Sequence, residues 1–177
     1  MRILALDTAS ATGWCYGDTA EPNASLEYGT QKFKVHDKEL GPFAVDFDFW
    51  LDELIDRARP ELIAFEAPIL RIGGPRPMTS VAGARLMMGL TWHVEFRAAK
   101  WDIKCRECDL QRVKQFWTGD GRAKKDQMVR MAEIYGYKPQ DDNQADALAI
   151  FHYAAQLVGA RGLAASIGPL GAKGGKR

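Results

Sequence analysis

Apolar residues follow two periods along the chain, and the alternation between them predicts the elements. Residues 2 to 7, R-I-L-A-L-D, are a short apolar run that stops on an acid. Thr12 to Tyr16 and Leu26 to Val35 have strand-like composition with glycine-containing breaks, so the first third of the chain reads as a three-stranded meander. The period then changes. From Pro42 to Ala58, the residues Phe43, Phe47, Trp50, Leu51, Leu54 and Ile55 recur at three- and four-residue intervals, the pattern of an amphipathic helix, and Pro60 stops it. Leu62 to Glu66, L-I-A-F-E, is another apolar run ending in an acid, and Ala67-Pro68 with the following R-I-G-G-P-R-P takes the chain out of the sheet. Thr79 to Phe96 predicts a second helix, small and Met-rich on its apolar side, and Trp101 to Cys105 a fifth strand. Asp109 or its neighbour caps a short helix through Trp117, T-G-D-G-R marks a turn, and Lys124 to Tyr135 predicts a longer helix. The last helix starts between Pro139 and Asn143 and runs to Val158. The order β-β-β-α-β-α-β-α-α-α predicts an α/β fold with a mixed five-stranded sheet flanked by helices.

Beyond Gly159 the chain is rich in Gly, Ala and Lys and has no period, so the reading divides it into a folded domain, 1–158, and a flexible basic Gly-rich tail, 159–177. A length of 177 residues with 46% hydrophobic and 27% charged residues fits one globular domain and argues against disorder or coiled coil. The longest apolar stretch, Ala145 to Ala160, is interrupted by Asp146, His152 and Gln156, too soon for a membrane span. Asp7 arrives before a signal-peptide core could form, so no membrane association and a cytoplasmic location are expected. Three cysteines are too few for a disulfide scaffold, and Cys105 and Cys108 lack the second pair that a structural zinc site needs; they read as ordinary cysteines beside a strand.

The net charge of +1 conceals a division. Residues 1 to 66 carry 6 Lys/Arg and 13 Asp/Glu, a net of −7, whereas residues 67 to 177 carry 18 and 10, a net of +8. The basic half includes Arg112, Lys114, Arg122, Lys124 and Lys125, which suit a phosphate backbone as well as they suit a solvated helix face. Arg71 and Arg76, in the Gly/Pro loop, could add further phosphate contacts, or the loop could be an ordinary turn.

Asp7 and Glu66 end apolar strands, and Asp146 faces inward if Ala145, Leu148, Ala149 and Tyr153 mark the packed side of the last helix. Strand ends facing a crevice are where α/β sheets place their chemistry, and carboxylates gathered there repel one another unless cations neutralise them. Mg²⁺, with its oxygen ligands and retained waters, suits such a site, and two ions together serve phosphodiester hydrolysis. Singly, Asp7 also suits an Asx turn, Glu66 a surface acid and Asp146 a helix-dipole partner.

Four motifs carry a resemblance: L-A-L-D-T-A-S-A-T-G-W (4–14), I-A-F-E-A-P (63–68), V-K-Q-F-W-T-G-D-G-R-A-K-K-D-Q-M (113–128) and N-Q-A-D-A-L-A-I (143–150). Together they resemble the RuvC-type Holliday-junction resolvases, over a span from residue 4 to about 155. The resemblance implies a ribonuclease H-like fold, a homodimer, and metal-dependent paired nicking of four-way DNA junctions in a bacterial or phage-infected cell, with two Mg²⁺ ions that Mn²⁺ can replace. It implies metal-binding roles for Asp7, Glu66 and Asp146, and places Lys114 and Lys125 near the scissile phosphate. Two departures stand out. Asn143 occupies a position where the family usually has Asp or His, which adds Asn143 to the metal-binding candidates together with the adjacent Asp142, which could instead cap the last helix. Ile69 and Leu70 occupy the region where the family carries an aromatic wedge. Two rivals follow, a broader nuclease of branched DNA and a DNA-binding scaffold that has lost catalysis through Asn143. A nucleotide-dependent phosphotransferase of the actin-like kind lacks its second Gly-rich phosphate loop here, so no nucleotide cofactor is expected.

Overall fold

Strand β1 (Arg2–Asp7) is apolar on both faces, and Ile3, Leu4, Ala5 and Leu6 are all buried completely, which is possible only at the centre of a sheet covered on both sides. The computed structural model describes residues 1 to 21, 23 to 34, 39 to 68 and 80 to 159. β2 (Ala11–Asp18) pairs antiparallel with β1, and β3 (Glu27–Lys32) pairs antiparallel with β2 at one edge. On the other side β4 (Leu62–Glu66) runs parallel to β1, and β5 (Lys104–Cys108) parallel to β4, giving the order β3-β2-β1-β4-β5. Parallel pairing in the register Leu6 to Phe65 sets the next residues of the two strands, Asp7 and Glu66, side by side at one end of the sheet.

The pleat divides the core. Leu4, Leu6, Ile63 and Phe65 face α1 (Leu40–Ala58) and α2 (Val81–Lys100), whereas Ile3, Ala5, Leu62 and Ala64 face α3 (Leu110–Thr118), α4 (Lys125–Ile134) and α5 (Asp142–Leu157). A charged clamp joins α1 to α2: Arg97 donates to Asp48 and, at 3.0 Å, to Asp52, while His93 also meets Asp48 and Trp101 Nε1 donates to Asp52 at 2.8 Å. On the opposite face α5 is buried almost all round from Gln144 to Ala155, because it lies between the sheet and the outer pair α3 and α4. No helix among the described residues is long and apolar enough to cross a membrane.

The predicted architecture holds, with the mixed sheet and every helix present. The fifth strand is a correction. It spans Lys104–Cys108 rather than Trp101 to Cys105, because α2 continues to Lys100 and a turn at Trp101 and Asp102, the latter at φ 53°, precedes it. Trp101 and Ile103, whose hydrophobicity suggested a strand, pack instead on the α1–α2 side of the core. The true strand, K-C-R-E-C, is an edge strand exposed from Lys104 to Glu107 and carries little apolar signal. Cys105 and Cys108 lie within β5, the first exposed and the second buried, and neither forms a disulfide. Arg71, Arg76 and the wedge region at Ile69 and Leu70 lie outside the described residues, as does the tail from 160 onward.

Candidate active site

Three elements converge on the carboxylates. β1 and β4 deliver Asp7 and Glu66 to adjacent positions, and the second turn of α5 delivers Asp146. What seats α5 there is Gly13, the β2 partner of Asp7: a Cβ at that position would lie 2.0 Å from the carbonyl oxygen of Asn143. Only a glycine lets the first turn of the helix rest on the strand. Asp141 fixes the same turn from the other side, accepting from the backbone N–H of Gln144 at 2.9 Å and from Thr30 Oγ1 on β3 at 2.7 Å. Gly13→Ala is therefore expected to lower stability by about 1–3 kcal/mol through overpacking, measurable as a lower denaturation midpoint.

Asp141 is the helix cap. Asp142, which the sequence offers as a possible cap, is instead the first helical residue and forms an ion pair with Lys125. That pair holds the Asp142 carboxyl below the usual carboxylate range and raises Lys125 above the usual amine range. Burial, reinforced by Glu66, pushes the Asp7 carboxyl well above its ordinary value, and the two side chains share a hydrogen bond. Burial also raises Glu66, with the Asp146 charge adding to the effect and Lys114 opposing it. Asp146 is pushed up to about 7, by burial first and by the charge of Asp7 second. Asp142 adds to the repulsion at both Asp7 and Asp146, and Lys125 relieves it. Six predicted residues thus act on one another here: Asp7, Glu66, Asp142, Asp146, Lys114 and Lys125.

Among the described residues no three His, Cys, Asp or Glu side chains already close around a single point where an ion could sit. The acids meet in pairs instead, and Asp7 with Glu66 relieves its repulsion through a hydrogen bond. One oxygen is left over. Asp146 Oδ1 is buried without a hydrogen-bond partner, a costly arrangement for a carboxylate. Carboxylates crowded in pairs, an orphaned buried oxygen and an all-oxygen donor set fit a hard divalent cation. Asn143 stands at the same helix start, its backbone against Gly13.

Arg112, Arg122 and Lys124 lie on the surface. Arg112 is in the first turn of α3, where Asp109 Oδ1 accepts from its backbone N–H at 2.9 Å, and Arg122 and Lys124 lie in the segment leading to α4. None of the three is among the charges acting on the acids. Gly13, Thr30 and Asp141 were not singled out from the sequence as site residues. A glycine inside a strand pattern is a signal of close backbone approach and could have pointed to the first; the other two pair across more than a hundred residues, which no local pattern reveals.

No protein-family model matches the chain. A stretch of 101 residues, 56% of the chain, is 39% identical to the crossover junction endodeoxyribonuclease RuvC of Anaeromyxobacter dehalogenans strain 2CP-C, and a similar stretch is 38% identical to that of Anaeromyxobacter sp. strain K. The match spans about half, 51%, of the length of these curated relatives. Among solved structures, Thermus thermophilus RuvC superposes with a TM-score of 0.65 at 22% identity, covering 90% of this chain and 98% of that one. The same protein in complex with a Holliday junction substrate gives 0.69 at 20% identity, covering 90% and 97%. The yeast mitochondrial Holliday junction resolvase Ydc2 gives 0.59 at 12% identity over 84% and 75%. The fold is therefore the ribonuclease H-like fold of these nucleases, and the resemblance in the motifs extends to the architecture.

Proposed function

We propose that this chain is a metal-dependent endodeoxyribonuclease that resolves four-way DNA junctions by paired phosphodiester hydrolysis, with Mg²⁺ as its metal and Mn²⁺ able to replace it. The observation that carries this reading is the meeting of Asp7, Glu66 and Asp146 at one end of the sheet, with one carboxylate oxygen buried and unpaired and two lysines beside them. It is supported by the likeness to RuvC proteins, one of them solved with a Holliday junction.

Asp7, Glu66 and Asp146 would hold the metal, with Asp142 and Asn143 at the rim. Held there, two divalent ions would supply an activated water and neutralise charge on the leaving oxygen. Asp7, which acts on both Glu66 and Asp146, would be the ligand most connected to the other two. Lys114 acts on Glu66 and Asp146 and lowers the repulsion between them. Lys125 is 79% exposed although paired with Asp142, so its ammonium can turn to a phosphate and stabilise the charge that develops during attack. Cleavage of an immobile four-way junction, with mapped ends, tests the reading: 5′-phosphate and 3′-hydroxyl termini at paired sites are expected. Equal cutting of Y-shaped DNA would favour the broader nuclease, and a protein inert in both metals would leave only a DNA-binding scaffold.

Paired nicks need two active sites. α2 presents Val81, Met88, Trp92 and Phe96 on its outer side at 70%, 53%, 62% and 41% exposure, spaced seven, four and four residues apart. Trp92 and Phe96 stack at 5.4 Å. Such an apolar stripe supports a homodimer through α2. Trp92→Glu is expected to convert the dimer to monomer and to uncouple the two nicks, as read by analytical ultracentrifugation and a cruciform-plasmid assay.

A further inference from the structure

A groove of about 610 Å³ wraps the free edge of β3, on the flank of the α5 start opposite to the one presenting Asp142 and Asp146. Its floor is the backbone around Gly29. Trp14 packs against that glycine, so closely that a Cβ there would come within 2.7 Å of the indole. Arg57, at the end of α1, reaches over Trp14 at 5.2 Å and over Tyr16 at 5.6 Å, which holds its guanidinium at the groove rim. On the other wall stand Lys138, Gln140 and Gln144. The Lys138 backbone is fixed to β3 by an N–H donated to Tyr28 Oη at 3.1 Å.

Three features identify what the groove would hold. No carboxylate lines it, although most of its lining comes from residues 1 to 66, the acidic part of the chain. Neither Arg57 nor Lys138 takes part in an ion pair among the described residues, although Arg57 meets the Tyr16 hydroxyl, which in turn donates to Glu27. Gln144, only 7% exposed, uses its Oε1 to accept from Gln140 N at 3.0 Å, while its amide Nε2 has no partner among the described residues. Two cations on facing walls, with an amide donor between them that has no protein partner among the described residues, suit an acceptor with negative charge. The sides of the same helix turn carry this groove and the candidate metal ligands, so a strand held at one passes close to the other.

We propose that this groove binds the sugar-phosphate backbone of a DNA strand adjoining the cleavage site, with Arg57 and Lys138 each engaging a phosphate and the Gln144 amide donating to an oxygen between them. The proposal rests on the reading of the chain as a DNA nuclease and adds a second anchoring point to it. Its direct consequence is in the salt dependence, since each phosphate neutralised contributes about one unit to the slope of log affinity against log salt.

The test is fluorescence anisotropy with a labelled immobile four-way junction over 50 to 300 mM KCl in Ca²⁺, using full-length protein, on the order of six concentrations of salt. Arg57→Gln with Lys138→Gln is expected to weaken binding roughly tenfold at intermediate salt and to lower the slope by about 2. The charge-preserving pair Arg57→Lys and Lys138→Arg should keep the wild-type slope, which a merely structural effect would not explain. Wild-type slope and affinity in the glutamine pair overturn the proposal and leave the open β3 edge to a peptide strand. Wild-type protein that fails to bind the junction at all overturns the nuclease reading itself, so the two failures are told apart.

Discussion

Asp7→Asn is expected to reduce nicking of a four-way junction by at least about 10³-fold, some 4 kcal/mol of transition-state stabilisation, while leaving junction binding intact. The asymmetry follows from where Asp7 sits. It ends the central strand, shares a hydrogen bond with Glu66, and feels Asp142 and Lys125 as well, so its charge is the one most connected to the rest of the site. Asparagine keeps the size and an oxygen donor but removes the charge that a divalent cation needs. The fold does not depend on that charge. Burial and repulsion from Glu66 both disfavour it in the metal-free protein, so the variant is expected to be at least as heat-stable as wild type when no divalent metal is present. Single-turnover cleavage, gel-shift binding in Ca²⁺ and a thermal melt in chelator, run on the same preparation, separate the three effects. Loss of binding together with cleavage would assign Asp7 to the DNA interface instead of the metal. Cleavage at the wild-type rate would remove it from the catalytic centre.

Much of this site was legible because two of its acids end strands that announce themselves. Ile3 to Leu6 and Leu62 to Phe65 are apolar at every position before the acid, and central strands covered on both faces leave no other reading. Asp146 was legible from the face it shares with Ala145, Leu148 and Ala149, all buried in α5. The failures have the opposite character. β5 is an edge strand whose residues are mostly exposed, so the neighbouring Trp101 and Ile103 carried a stronger apolar signal than the strand itself. Asp141 and Asp142 are adjacent acids of identical composition, and only the geometry of the helix start assigns one to the cap and the other to Lys125. Gly13 lies in a quoted motif, yet its role depends on a helix that begins 129 residues later. Local patterns report burial and period; they do not report which distant backbone needs the space.

The second large effect is in the linkage between protons, metal and stability. Asp146 has a folded-state value of about 7 against an ordinary 3.8, so between those limits the native state holds a proton that the unfolded chain has lost. Its contribution to stability is therefore complete below pH 4 and disappears as pH rises toward 7, with a slope of up to about 1.4 kcal/mol per pH unit. Asp7 and Glu66, also raised, act in the same direction. His152 acts against them. Burial lowers it to about 3 from 6.5, so it adds stability as pH rises between these values. A plain melting curve against pH thus mixes opposing contributions, but the difference between melts with and without Mg²⁺ cancels His152, which is hydrogen-bonded to Tyr137 and stacked on Trp117 within the core rather than beside the acids. Metal must displace the protons held by the acids. The Mg²⁺-induced rise in melting temperature is expected to be close to zero at pH 5 and to reach roughly 5–10 °C near pH 8 at an ion concentration about a hundred times its dissociation constant. Asp146→Asn should flatten that pH dependence. A Mg²⁺ shift equal at pH 5 and pH 8, or one that survives unchanged in Asp7→Asn, would place the bound ion somewhere other than among these carboxylates.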